Sequence, residues 1–281
     1  MIKVLKPGFY STIQDVGRFG FQDYGVPYSG VMDAYAASVA NMLVGNNKNA
    51  AVLEMTMVGP TLQFKNETNI CLSGADMSPM LDGHPIVNNK ALRVPENAVL
   101  SFGKLTSGFR VYLSVAGGFE TEKIMQSRSM FKGVTDRYVI SKGEELPVQN
   151  HIKAPFDHNA AIRFNNKYLD SNVIDVFKGP EFEKLSEDQQ RFLFAQEFSV
   201  SKDHNRMAYQ LEQVVENNIE PIITSLVLPG TVQLTPAGKL IILMRDCQTT
   251  GGYPRMLQLK ESAMNVMAQK FTGNKIRFKL I

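Results

Sequence analysis

The chain has 281 residues, enough for one large domain or two smaller ones with a sizeable core. Its 30 basic and 27 acidic side chains are interspersed for a net charge of +3, which gives no support to a nucleic-acid or membrane footprint. The two cysteines, Cys71 and Cys247, are too few and too far apart for a disulfide framework or a zinc motif. No apolar stretch approaches the ~20 residues that span a bilayer, and no signal-peptide core opens the chain, so a soluble, cytoplasmic protein is expected.

Taken in chain order, short β-branched or alternating runs recur between Gly, Pro and Asn punctuation: Ile2–Leu5, Thr61–Phe64, Asn69–Leu72, Val99–Phe102 and Arg110–Val115 in the first half. Ile174–Phe177, Ile222–Val227, Leu240–Met244 and Lys275–Ile281 follow in the second. Regularly spaced short strands predict a mainly β architecture of barrels or sandwiches. Three helices interrupt them. Between Ser29 and Gly45 the positions Met32, Ala36, Val39, Ala40 and Leu43 share a helical face, and Gly45 supplies the stop. Ser186 with Gln189 reads as a capping box. A third helix is expected after Leu257, with Leu259, Ala263, Val266 and Met267 on one side.

The two halves carry a weak internal repeat. Leu53–Thr56 with Gly59-Pro60 corresponds to Ile174–Phe177 with Gly179-Pro180, and Gly117-Gly118-Phe119 to Gly251-Gly252-Tyr253. Two lobes of common design are therefore expected, divided at residues 1–160 and 161–281, with chance similarity of β-turns as the alternative.

Nucleotide-loop, dinucleotide, nucleophile-elbow and zinc-protease motifs are all missing. The four histidines (His84, His151, His158 and His204) have no ligand spacing, so no metal site is expected. Asp, Arg, Gln and Thr are left to carry any chemistry. The first polar cluster is Thr12-Ile13-Gln14-Asp15-Val16-Gly17-Arg18, where the glycines allow Asp15 and Arg18 to project from a loop. A surface ion pair is the plain alternative. The segment leads through Gly30 into the first helix, whose Asp33 and Asn41 add polar groups, and whose start is a natural anion seat. The second cluster, Met244 to Pro254, breaks from an apolar strand into Asp246, Gln248, Thr249, Thr250, Gly251 and Tyr253, the layout of a site loop held by a rigid strand. Arg128, and Arg206 beside Asn205, are further candidates to grip a carboxylate or phosphate, or else to cap turns.

Together the segments Thr12–Arg18, Gly30–Asn46, Leu53–Pro60, Tyr112–Gly118, Asn205–Met207 and Asp246–Pro254 resemble the allophanate hydrolase subunit 2 family. That family includes the Kip antagonist, the C subunit of 5-oxoprolinase and half of the carboxyltransferase region of urea carboxylase. The resemblance implies a pair of cyclophilin-like β-barrels with a few short helices. It further implies work within a 5-oxoprolinase assembly, whose B subunit is Kip-inhibitor-like and whose A subunit is of the lactam-utilisation type. That assembly uses ATP, held with or by the partner subunits, to open the lactam of 5-oxoproline to glutamate. In that scheme Asp15 and Asp246 manage protons, and Arg18 or Arg206 holds the substrate carboxylate or a phosphoryl group. Gln14, Asp33, Asn41, Arg128, Asn205, Gln248, Thr249, Thr250, Gly251 and Tyr253 line the substrate site. The chain has no Met-Lys-Met motif and so carries no covalent biotin. Two rival readings are a biotin-dependent carboxyltransferase acting on urea or a related amide, and a non-enzymatic binder of a Kip-inhibitor-like protein. Three segments depart from the family pattern: Gln126 precedes Ser127-Arg128-Ser129 where glycine is usual, Ala208 replaces the glycine after Asn205-Arg206-Met207, and Gly230-Thr231-Val232-Gln233 followed by Ala237-Gly238 stands where G-S-I-Q followed by D-G is usual.

Overall fold

The computed structural model describes residues 1–149 and 164–281, and the chain divides into two units. One comprises Met1–Arg18 and Ser29–Asp170, the other Phe19–Tyr28 and Ser171–Ile281. The expected boundary at 160/161 lies outside the described residues, as do His151 and His158.

In the first unit the strands are β1 (Ile2–Lys6), β2 (Tyr10–Gln14), β3 (Val52–Thr56), β4 (Thr61–Phe64), β5 (Thr68–Asp76), β6 (Pro79–Leu81), β7 (His84–Pro85), β8 (Leu92–Val94), β9 (Val99–Phe102), β10 (Ser107–Val115) and β11 (Glu145–Leu146). Helix α1 covers Ala34–Leu43, and the short α2 covers Lys167–Asp170. The strands form a six-stranded sheet, β11-β1-β4-β9-β6-β7, and a five-stranded sheet, β2-β3-β10-β5-β8. Alternate residues from both sheets, among them Val4, Phe64 and Leu100 from one and Ile13, Leu53, Met55 and Leu113 from the other, meet in a single apolar core.

Strand β3 is buried along its whole length, which an ordinary two-faced strand is not. Leu53 and Met55 enter the core, while Val52 packs on the other side with Ala36 and Ala37 of α1 and with Tyr112. That second side is buried yet polar. Thr12 pairs with Glu54, Glu54 with Tyr112, and Tyr112 with Ser73, so four polar side chains stand in one cross-strand row.

The second unit contains β12 (Val173–Lys178), α3 (Glu187–Ala195), β13 (Phe198–His204), β14 (Ala208–Val214), β15 (Ser225–Leu226), β16 (Thr231–Leu234), β17 (Lys239–Leu243), β18 (Thr250–Gly251), β19 (Arg255–Leu259), α4 (Glu261–Ala268) and β20 (Lys275–Leu280). Seven of its strands close a barrel in the order β12-β19-β16-β17-β14-β13-β20, and β15 pairs with β18 outside it. Closure leaves no sheet edge unpaired in that ring. The mainly β, barrel-containing architecture expected from the sequence is present. No helix among the described residues is long and apolar enough to cross a membrane.

Local signals placed the helices, with two corrections. The capping box at Ser186 is complete, with Gln189 N donating to Ser186 Oγ and Ser186 N donating to Gln189 Oε1. The first helix begins at Ala34, not Ser29, because Ser29 and Gly30 both take positive φ (55° and 88°) and Asp33 serves as the N-cap. Met32 therefore lies before the helix, where its N–H donates to Glu54 Oε2 at 2.8 Å. The last helix starts only at Glu261, since Leu257 and Leu259 are buried members of β19. Of Ile222–Val227, only Ser225–Leu226 is strand.

Candidate functional site

The two clusters read from the sequence fall in different units, and each is best built from its own anchors. In the first unit Asp15 follows the end of β2 and turns inward. Its Oδ1 accepts from Gly17 N at 2.9 Å, Ser127 Oγ at 2.6 Å and Ser129 Oγ at 2.7 Å, and its Oδ2 accepts from Arg128 N at 2.7 Å. Four donors on one buried carboxylate make a charge-assisted knot that ties the end of β2 to residues 127–129. Arg18, fully buried, reinforces it by donating to the carbonyls of Ile124 and Ser129. The Arg128 guanidinium donates to the Thr121 carbonyl and pairs with Glu120. Gln14 completes the arrangement: its amide donates to Thr12 Oγ1 at 3.0 Å and to the Met130 carbonyl at 3.1 Å, and its Oε1 accepts from Gly30 N at 3.2 Å.

The segment after Ser127 hangs from a two-residue turn at Met125 and Gln126, where Ile124 and Ser127 exchange both backbone hydrogen bonds. Both turn residues have positive φ, 52° and 65°, the left-handed region that favours glycine. Gln126 is the position where the family pattern carries glycine, so the departure has a direct conformational meaning. At the other departing positions, Ala208, Thr231, Val232 and Ala237, the backbone is at ease, with none at positive φ. Ala208 begins a strand, and the turn glycine Gly238 is retained at φ 77°.

The start of α1 is not an open anion seat. Asp33 Oδ1 accepts from Ala36 N at 3.0 Å, Asp33 N donates to Tyr112 Oη at 2.8 Å, and Tyr168 Oη donates to Asp33 Oδ2 at 2.6 Å. With Glu54 on Met32 N, the protein supplies its own acidic groups to this end of the helix. Asn41, near the far end of α1, is equally engaged, with Lys48 O, Ala50 O and Ser114 Oγ as partners.

Glu54, Arg110 and Tyr112 were not singled out from the sequence. Glu54 and Arg110 are 1% and 2% exposed and face each other at 3.7 Å. Burial above all, then the neighbouring Glu54 and Asp33 carboxylates, push the Tyr112 phenol well above its ordinary value. The available signal was a glutamate in the middle of the otherwise apolar Val52-Leu53-Glu54-Met55.

In the second unit Asp246 follows β17 and receives Arg206 as a fork, Nε to Oδ2 at 2.8 Å and Nη2 to Oδ1 at 3.0 Å. The backbone repeats the connection, Asp246 N donating to Arg206 O at 2.9 Å. Asn205 shapes the preceding turn by accepting from Met207 N and Ala208 N. The loop beyond is pinned at intervals: Thr249 O accepts from Val227 N, Gly251 pairs with Ser225 across β18 and β15, and Gly252 O accepts from Ile222 N. Thr250 is exposed and Tyr253 is 41% exposed. Behind the loop Arg255 grips Glu181 through Nε and Nη2 at 3.0 and 2.8 Å, and its Nη1 reaches Ser225 Oγ and Leu226 O. This arginine holds the Glu181 carboxyl below its ordinary value. The structure thus brings Gln14, Asp15, Arg18 and Arg128 together in one unit, and Asn205, Arg206, Asp246 and the Gln248–Tyr253 loop in the other. Asp33 and Asn41 sit at the two ends of α1 instead.

Both cysteines are buried free thiols, each pushed up to about 12 chiefly by burial. No group of three or more His, Cys, Asp or Glu side chains suited to a metal occurs among the described residues.

Residues 24–280 match the family model described as carboxyltransferase domain, subdomain A and B. The chain is 31% identical over 284 residues to the C subunit of 5-oxoprolinase from Escherichia coli K12, covering 99% of this chain and 90% of that protein. Among solved structures, that of TTHA0988 superposes with a TM-score of 0.88 at 26% identity, over 99% of this chain and 55% of that one, so this chain spans about half of it. The K. lactis urea amidolyase structure superposes with a TM-score of 0.87 at 28% identity, over 99% of this chain but 18% of that one.

Proposed function

Because the chain belongs to the carboxyltransferase domain family, subdomains A and B, we propose that it is the C component of an ATP-dependent 5-oxoprolinase in the cytoplasm. The observation that carries this reading is the end-to-end similarity to the E. coli protein of that type. Urea amidolyase, by contrast, matches through a small part of a much longer chain. A protein that is one component of an enzyme works with others. In this reading they are a Kip-inhibitor-like B component and a lactam-utilisation-type A component.

ATP belongs with those partners. In support, the backbone amides of Met32, Asp33 and Ala36 at the start of α1 are already taken by Glu54, Tyr112 and Asp33. A phosphate placed there would meet two buried carboxylates. No step is therefore assigned to a nucleotide on this chain.

Asp15 and Asp246 act here as positioning residues, because the Asp15 carboxylate already accepts from four protein donors and the Asp246 carboxylate takes the full fork of Arg206. Asp15 with Arg18 fixes residues 124–130, and Asp246 with Arg206 fixes the base of the Gln248–Tyr253 loop, whose polar groups contact substrate. The test is glutamate release from 5-oxoproline and ATP by this chain purified with its neighbouring subunits, each omitted in turn. Activity that disappears without this chain is the expected result. An intact complex that releases no glutamate sinks the reading in favour of biotin-dependent carboxylation or pure binding.

A further inference from the structure

Gln248 carries a buried carbonyl, Oε1, that has no hydrogen-bond partner. A buried acceptor that the protein leaves unpaired is destabilising unless a water or a ligand supplies the donor, and Asn88 Oδ1 and Asn89 Oδ1 are unpaired in the same way. The surroundings of Gln248 set it apart. At Gly251, three residues on, a Cβ would lie 2.7 Å from Gln233 Nε2, which would have to shift, and in ordinary contact at 3.5 Å with Gln248 Nε2 and Val227 Cγ1. Two carboxamides therefore crowd one glycine backbone, at the centre of the loop that Arg206 and Asp246 fix from below. Gln233, 1% exposed on β16, is held in place by donating to Tyr253 O at 3.3 Å. Val227, with Leu243 and Cys247, adds a small apolar cluster beside the amides.

We propose that Gln248 and Gln233 around Gly251 form a recognition site for a small neutral amide, with Gln248 Oε1 accepting the N–H of the ligand. The chemistry of the orphan atom defines the class. A neutral carbonyl oxygen accepts and cannot donate, so the ligand must bring an N–H or O–H. It carries no charge, so it does not single out a cation as the Asp246 carboxylate does. A lactam N–H satisfies it. A lactone or an N-methyl lactam of the same shape leaves it buried and unpaired, and sites built to bond such a group reject analogues lacking it. Buried hydroxyls without partners, such as those of Thr56 and Ser73, both donate and accept and so define no class.

The choice of a lactam rests on the oxoprolinase reading, while recognition of an amide N–H does not, and the experiment separates them. Binding of 2-pyrrolidinone, N-methyl-2-pyrrolidinone and γ-butyrolactone to the co-purified complex is followed by ligand-observed NMR, for wild type and for Gln248→Leu, Gln248→Glu and Gly251→Ala. The expected result is at least ~10-fold preference for 2-pyrrolidinone in wild type. The preference is lost in Gln248→Leu, kept in Gln248→Glu, which retains an acceptor, and weakened in Gly251→Ala, which displaces Gln233. Melting curves confirm that each variant is folded. Should the leucine variant fail to fold, Gln248→Met takes its place. Equal binding of the three probes, no binding of 2-pyrrolidinone, or a preference that survives the loss of the acceptor overturns the inference. Turnover of 5-oxoproline without any such preference rejects this site alone. The preference without turnover rejects the oxoprolinase reading and leaves the amide site standing.

Discussion

Arg206 and Asp246, forty positions apart, meet in a two-bond fork with side chains only 4% and 9% exposed. The pair joins the turn between β13 and β14 to the loop that leaves β17, so the loop's position depends on it. Losing one member strands the other charge in a dry setting, which costs about 3–5 kcal/mol. Arg206→Ala and Asp246→Ala should each lower the unfolding free energy from urea titration by that amount. Arg206→Lys should recover part of the loss, because it restores the charge but not the fork. Equal stability of wild type and the alanine variants would show that the pair is solvated.

Asp15 is read as an anchor for residues 127–129, and Asp15→Asn tests that. The amide turns one acceptor into a donor facing other donors, so a loss of about 1–3 kcal/mol is expected, with faster proteolysis between Thr121 and Ser129. The pH profile of turnover in the assembled enzyme should keep its wild-type shape. A displaced or missing limb in that profile would return Asp15 to a role in proton transfer.

Gln126 holds φ 65° in a two-residue turn. Replacing it by glycine removes the strain of the left-handed region and adds some freedom to the unfolded chain, for a net stabilisation of about 0.5–1 kcal/mol. Thermal unfolding measures it, and a lower melting temperature for Gln126→Gly would contradict the assignment of strain to this turn.

Glu181 is held below its ordinary value of 4.5 by Arg255, so the folded state binds this proton less readily than the unfolded state. The stability it contributes is complete above the unfolded value and drains away as pH falls through the lower folded one. Glu181→Gln should therefore be less stable than wild type at pH 7, with the gap narrowing below about pH 4.5. A gap that stays constant down to about pH 2.5 would mean that the pair contributes by shape alone.

Cys71 and Cys247 are buried, with thiols pushed up to about 12, so almost no thiolate is present at neutral pH. The native chain should leave a disulfide reagent unconsumed at about pH 8 and consume two equivalents once unfolded. Rapid reaction of either thiol in the folded protein would show that its cover opens.

Much of the architecture was legible because its signals are local. Strand-length apolar runs such as Thr61–Phe64 and Val99–Phe102 became strands with those bounds, and the Ser186 box became a helix start. The misplacements were local as well. Met32 fits a helical face by spacing, but the chain direction set by Ser29 and Gly30 leaves it outside the helix. Leu259 fits α4 by spacing and belongs to β19 by hydrogen bonding. The polar clusters stood out by composition, yet nothing in them announced their partners. Ser127 and Ser129 lie 112 and 114 positions from Asp15, and Gln233 lies on a strand away from the loop it supports.

What the sequence determined by itself is whatever depends on a few neighbouring residues: strand lengths, caps, turn glycines and the identity of the polar segments. Only the tertiary structure decided which polar groups are engaged with one another and which are left without a protein partner. A carboxylate such as Asp15 reads the same in sequence whether it faces solvent, substrate or four protein donors. The difference lies in strand register and loop closure, which bring groups together across more than a hundred residues and leave Gln248 Oε1 buried without a partner.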